Sequence, residues 1–182
     1  MKKILLLIPA IIAGLALSTT SCTDDNTWSD YSEWREANNE WLIQQGTLLD
    51  EDGQAFYTRV TPAWNKSAYV YMHFFNDRSE TAGNLSPMYT STVSVKYIGK
   101  LYNDVPFDSS FTAVDSLFTT KLSSVVSGWT IALQEMHVGD SARVVIPYQQ
   151  GYGATSQGSI PPYSALQFDI KLVDIPYYET KN

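Results

Sequence analysis

The segment LQFDIKLV, residues 166–173, constrains this chain more than any other. Leu166, Phe168, Ile170 and Leu172 fall on one side of an extended backbone, while Gln167, Asp169 and Lys171 fall on the other. Side chains of a strand alternate between faces, so this one has an apolar face and a wet face. AFYTRV, AYVYMHFF, TVSVKY and SARVVIPY alternate or nearly so, all beyond Gly53. Together they predict an antiparallel sheet with one face buried. The one helical pattern available to cover that face is GWTIALQEM, in which Trp129, Leu133 and Met136 recur at helical spacing. The expected fold class is α+β, an antiparallel sheet laid over a single short central helix. Gly128 is expected to let the chain enter that helix without crowding the indole of Trp129.

The start of the chain reads differently. Lys2 and Lys3 precede an apolar run from Ile4 to Leu17, and small residues follow up to Cys22. This pattern is that of an export leader and not of a spanning helix. LSTTSC ends in the only cysteine of the chain and resembles a bacterial lipoprotein signal. The resemblance implies a signal peptide over 1–21, acylation of Cys22 and an acylated tether over 22–28. Triacylation holds a protein on a membrane without a spanning helix. Thr23 is not the Asp that marks inner-membrane retention in enteric bacteria, so the expected location is the cell envelope with the outer membrane favoured, periplasmic or surface-exposed. Beyond the tether, SDYSEWREANNEWLIQQG predicts a helix over 29–46, with Ser29 or Asp30 as cap and Gly46 as stop. Tyr31, Trp34 and Trp41 share a face of it with Leu42 near the edge, and that face is expected to dock on the domain.

Charge and composition exclude several functions. With 12 Lys and Arg against 19 Asp and Glu, the full chain carries −7. Removing Lys2 and Lys3 with the leader takes it to −9. Nucleic acid is not an expected partner, because binding it draws on clustered cations. His73 lies inside an alternating strand and His137 at a helix end, with no second His or Cys at ligand spacing, so no metal and no cofactor is expected. The chain has no GxSxG and no HExxH, and GYGATSQG lacks the lysine and following helix of a phosphate-binding loop.

Three phrases do carry a signal, and they occur in order: VSVKYIGKLYNDVPFDSS, VVSGWTIALQEMHVGDSARVVIP and GYGATSQGSIPPYSALQFDIKLVDI. Together they resemble the FKBP-type peptidyl-prolyl isomerases, from about Ser91 to Ile175. The first is similar to the family's strand, hairpin and Phe-Asp-Ser-Ser segment. The second is similar to its helix headed by Gly-Trp and its Met-x-x-Gly turn. The third is similar to its Tyr-Gly loop, Ile-Pro-Pro and last strand. The resemblance implies a twisted antiparallel β-sheet wrapped around one short central helix, an FKBP-like domain over 53–176. AFYTRV is then assigned the family's first strand, with an insertion at about 61–90.

The resemblance also assigns roles. Trp129 becomes the floor on which a substrate proline lies, with Phe107, Val125, Val126, Ile160 and Phe168 as walls. Tyr97, Asp108 and Tyr152 become the catalytic set. Tyr152 donates its hydroxyl to a substrate carbonyl, the Val126 N–H donates to another, and Asp108 faces the carbonyl before the proline. Each residue taken singly also reads as ordinary structure: core for Phe168 and Val126, a strand aromatic for Tyr97, a turn former for Asp108. The implied activity is peptidyl-prolyl cis-trans isomerisation assisting the folding of exported proteins, with prolyl segments of those proteins as partners and the protein itself monomeric.

The chain departs from the family's pattern in three places. FTAVD lacks the Arg that follows the aspartate in many active members. Ser116 aligns where they place a further pocket aromatic, with Phe118 two residues on. Gln157 stands in a shortened last loop where a His is common. These departures leave two readings: an isomerase of reduced activity, or a catalytically weak peptide-binding or chaperone lipoprotein. The anchor reading predicts that Cys22→Ser abolishes incorporation of labelled fatty acid and moves the protein from the membrane to the soluble fraction. Unchanged labelling of the variant contradicts it.

Overall fold

The alternating runs form strands. In the computed structural model, which describes residues 27–178, these are β1 (Thr58–Val60), β2 (Val70–Phe74), β3 (Thr92–Leu101), β4 (Pro106–Ser109), β5 (Phe118–Lys121), β6 (Ser141–Ile146) and β7 (Leu166–Tyr177). The leader, Cys22 and residues 23–26 of the tether lie outside the described residues. The strands pair antiparallel in the order β1-β2-β6-β7-β3-β4, and β5 also pairs with β3. The spine is the β3–β7 ladder, whose register sets Leu101 against Leu166, Gly99 against Phe168, Tyr97 against Ile170 and Val95 against Leu172. The helices are α1 (Thr27–Asp30), α2 (Ser32–Thr47) and α3 (Ser127–Gln134). Among the described residues no helix is long and apolar enough to cross a membrane.

The inner face of the sheet closes over α3 as the alternation predicts. Leu166, Phe168, Ile170 and Leu172 of β7 are buried together with Trp129, Leu133 and Met136. Ile131 and Ala132 are buried too, so the short helix is enclosed on more than one side. At its entrance the backbone of Gly128 presses on the last residue of β6. A Cβ at position 128 would lie 2.4 Å from Cγ2 of Ile146, whose side chain is fully buried. The glycine therefore makes room for Ile146.

The outer face is drier than expected. Gln167, predicted to be wet, is buried. Its partner across the ladder is Val145, which clusters with Leu42 of α2 and Tyr57. The N-terminal helix thus covers part of the second face, which explains why consecutive Val144 and Val145 are both fully buried. Its docking is specific. The Asn38 side-chain oxygen accepts the Ala165 N–H at 2.8 Å, and the Trp34 indole N–H donates to Ser164 Oγ at 3.1 Å. The N-cap position of α2 is Tyr31, which makes no side-chain cap bond. Ser29 and Asp30 belong to α1, and α2 starts after Tyr31, whose carbonyl accepts the Arg35 N–H at 2.9 Å.

The stretch expected as an insertion, 61–90, is built into the sheet. It contains β2, which lies between β1 and β6, and Val70 and Met72 are buried against α3. By contrast β1, from AFYTRV, is a short edge strand. The polar loop 77–87 is tied to the end of α3 through Asp140, which is completely buried. That carboxylate accepts from Thr81 Oγ1 at 2.5 Å, from the Asn76 amide at 3.0 Å and from the His137 N–H at 2.8 Å. Burial opposes its ionisation, but these donors and the Arg78 guanidinium outweigh burial and hold the carboxyl below its usual range.

The Gly128 contact makes a prediction. Gly128→Ala overpacks the junction with Ile146 and should cost about 1–3 kcal/mol, read from the urea midpoint. Adding Ile146→Val, which removes a methylene there, should recover part of the loss. A Gly128→Ala protein as stable as the wild type contradicts the contact.

Candidate functional site

Trp129 stands in the first turn of α3, where the chain arrives through Val125 and Val126. The Val126 carbonyl accepts the N–H of Trp129 at 3.0 Å and of Thr130 at 3.3 Å, which fixes the indole at the mouth of the helix. The ring lies at the floor of an open cavity of about 240 Å³. Three aromatic rings meet it edge to face: Tyr97 of β3 at 5.0 Å, Phe168 of β7 at 5.2 Å and Phe118 of β5 at 6.2 Å. Edge-to-face contacts add to burial by aligning ring edges with π faces. The indole N–H is buried with no acceptor among the described residues. A buried donor left unpaired is uncommon in native cores and marks this ring as more than filler.

The far wall depends on a glycine that the sequence reading did not single out. Phe107 of β4 meets Phe168 at 5.5 Å and 89°. Both rings close over Gly99 of β3, where a Cβ would fall 2.7 Å from Cζ of Phe107 and 2.8 Å from Cε1 of Phe168. The available signal was an isolated glycine inside an alternating strand, which marks a close approach.

The polar rim is small. The Tyr97 hydroxyl donates to Asp108 Oδ2 at 2.5 Å, and the Ser109 N–H donates to Oδ1 at 2.8 Å. Asp108 is thus held through both oxygens without an Arg. Burial raises the Tyr97 phenol well above its ordinary value, and the hydrogen bond to the Asp108 carboxylate, its charge and Tyr152 raise it further. Tyr152 is likewise raised, by burial first and then by the charge of Asp108. Both phenols stay protonated donors at neutral pH. The difference is that Tyr97 spends its proton on Asp108, whereas no acceptor among the described residues takes the Tyr152 hydroxyl or the Val126 N–H. These two donors remain open to a ligand.

The cavity brings together Tyr97, Phe107, Asp108, Val125, Val126, Trp129, Tyr152 and Phe168 as the sequence reading named them. Ile160 is placed differently. It is buried in the core cluster and lies outside the cavity lining, held by paired backbone bonds to Gln157 at 2.9 Å in the tight turn that shortens the last loop. Ser116 sits in a turn with φ of 57°. Phe118, two residues on, lines the cavity in its place, because β5 pairs it with Val95 beside the spine. Neither α2 nor the 77–87 loop enters the cavity. Among the described residues no group of three or more His, Cys, Asp or Glu is placed to hold a metal ion.

Known proteins are similar to this chain in sequence and in fold. The sequence model of the FKBP-type peptidyl-prolyl cis-trans isomerase family matches residues 83–173. A macrophage infectivity potentiator of Trypanosoma cruzi is 41% identical over 95 residues, 52% of this chain and 48% of that protein. The FKBP-type peptidyl-prolyl cis-trans isomerase FkpA of Escherichia coli is 37% identical over 90 residues, 50% of this chain and 33% of that protein. The chain therefore spans less than half the length of these relatives. The crystal structure of FkpA from E. coli superposes with a TM-score of 0.67 at 23% identity over 85% of this chain and 64% of that one, a likeness of fold. A peptidyl-prolyl cis-trans isomerase from Pseudomonas syringae pv. tomato gives a TM-score of 0.60 at 27% identity, covering 77% of this chain and 93% of that one.

The rim electrostatics are testable. Asp108→Asn removes the charge that disfavours both phenolates, so the titrations of Tyr97 and Tyr152 should both move down in pH. Tyr97 should stay above an ordinary tyrosine because burial remains. Phenolate absorbance, taken as differences against Tyr97→Phe and Tyr152→Phe, reads the two shifts; two unmoved titrations contradict the arrangement.

Proposed function

Because this chain belongs to the FKBP-type peptidyl-prolyl cis-trans isomerase family, we propose that its aromatic cavity binds X–Pro segments and catalyses rotation about the prolyl amide. The observation that carries this reading is the open cavity floored by Trp129, with the Tyr152 hydroxyl and the Val126 N–H left as its free donors. Rotation of an amide meets a barrier of ~20 kcal/mol because resonance gives the C–N bond double-bond character. The step breaks no covalent bond and needs no nucleophile. It requires surroundings that disfavour the planar, charge-separated amide and hold the chain on either side while the bond turns.

The residues suit that task. The proline ring lies on Trp129, enclosed by Tyr97, Phe118 and Phe168, where water that stabilises the planar amide is displaced. Tyr152 and the Val126 N–H fix substrate carbonyls so that one side of the bond is anchored. Asp108, held by Tyr97 and Ser109, presents a fixed negative charge to the carbonyl before the proline. As that carbonyl rotates out of conjugation its carbon becomes more ketone-like, and a fixed dipole or charge beside it acts differently on planar and twisted states. Ile160 supports this site from the core.

The second reading, a peptide-binding or chaperone module with weak catalysis, is favoured by the rim at Asp108. Its carboxylate has both oxygens engaged within the protein and no Arg. In either reading the substrates proposed are prolyl segments of exported proteins. The leader, the lone Cys22 and the acidic tether support a lipid-anchored protein of the cell envelope, with the outer membrane favoured.

The test is the cis–trans relaxation of a prolyl tetrapeptide with and without the protein. Acceleration is expected at micromolar protein. Trp129→Ala should remove nearly all of it, and Tyr152→Phe should lower kcat/KM by about 5–10-fold, the worth of one hydrogen bond. Relaxation unchanged by the protein contradicts catalysis, and tetrapeptide binding without acceleration selects the second reading.

A further inference from the structure

A second cavity, of about 420 Å³, opens on the other side of Val125. Val125 lines both spaces, so the wall of the prolyl cavity is also a wall of this groove. Its other main surfaces are Trp64 and Tyr89, from the 61–90 stretch, and Thr130 and Gln134 of α3. Both aromatic rings are more than half exposed, at 60% and 55%. An exposed indole and an exposed phenol facing one groove are not a packing requirement, since neither contributes to the buried core. The lining carries no charged residue.

We infer that this groove is a subsite for the chain flanking the substrate proline, taking an uncharged apolar or aromatic side chain two or three residues away from it. The inference rests on the prolyl reading of the neighbouring cavity and extends it to the substrate's sequence. The occupant follows from continuity: a peptide whose proline lies on Trp129 leaves the cavity across Val125, and at about 3.3 Å per extended residue a near neighbour reaches the groove. The neutral aromatic lining selects the class of side chain. A charged group would lose hydration there with no counter-charge, whereas a Phe or Leu buries apolar surface against Trp64 and Tyr89. The Gln134 side chain supplies a partner for the peptide backbone, because its Nε2 is committed to the Thr130 carbonyl at 2.9 Å and its Oε1 has no protein donor among the described residues. This divides labour along the sequence, with the motif-bearing half binding the proline and the 61–90 stretch reading its surroundings.

The experiment compares the affinity of the protein for a prolyl tetrapeptide with that for two octapeptides having the same X–Pro bond, one with Phe three residues before the proline and one with Phe three residues after. Fluorescence anisotropy reads each. One octapeptide should bind about tenfold tighter than the tetrapeptide, the gain from burying much of an aromatic side chain. Asp in place of its Phe should abolish the gain. Trp64→Ala and Tyr89→Ala should each remove most of it while leaving tetrapeptide affinity and isomerisation unchanged. Equal affinities for all three peptides, or a gain that survives both variants, overturn the subsite and leave the prolyl reading standing. If the tetrapeptide does not bind, or if Ala in place of Pro leaves octapeptide affinity intact, the prolyl reading falls and the subsite falls with it.

Discussion

The first turn of α3 pressed onto the sheet, Gly128 against Ile146 of β6 and the Trp129 ring against β3 and β7, is the contact on which everything else in this molecule is arranged. Gly128 lets the helix backbone approach Ile146, and that approach lowers Trp129 to the level where Tyr97 and Phe168 meet its ring. The rest of the helix continues into the core, with Leu133 and Met136 fully buried. One end of a short helix is therefore structural and the other end is a cavity floor. Gly99 performs the matching service on the sheet, where the absence of a Cβ lets Phe107 and Phe168 close the far wall.

An apolar site is what prolyl isomerisation calls for. A hydrolase needs a nucleophile and a base, whereas rotation about an amide needs a dry surface and a few fixed donors. The raised Tyr97 and Tyr152 phenols fit that requirement, since burial and the Asp108 carboxylate keep both as donors across the physiological range. Tyr97 then orients Asp108, and Tyr152 is left for the ligand. The aspartate is ordered here by a tyrosine and a backbone N–H.

The sequence was most informative where one physical rule governed a long run. Strict alternation in β7 disclosed the sheet, and helical spacing in 129–136 disclosed what covers it. The motifs around Phe107, Trp129 and Tyr152 pointed to a cavity only through their family resemblance, since each residue taken singly reads as ordinary structure. Features that depend on a partner distant in sequence were not legible. Gln167 looks like a surface residue until α2 is seen to cover the outer face at Val145. Phe118 could not be placed from the chain alone, because its position follows from pairing with Val95 and from a turn at Ser116. Ile160 has the residue type of a wall but is drawn into the core by its turn with Gln157. The 61–90 stretch gave no sign that one of its strands is internal, nor that Trp64 and Tyr89 border a groove beside the site.

These particulars reduce to one claim: that the face of Trp129 is where a substrate proline lies. A crystal structure of the protein with a bound prolyl peptide tests it most directly. The pyrrolidine ring should lie in van der Waals contact with the indole, at about 4 Å, with the Tyr152 hydroxyl donating to a substrate carbonyl. A peptide bound elsewhere, with the indole face uncovered, would contradict it.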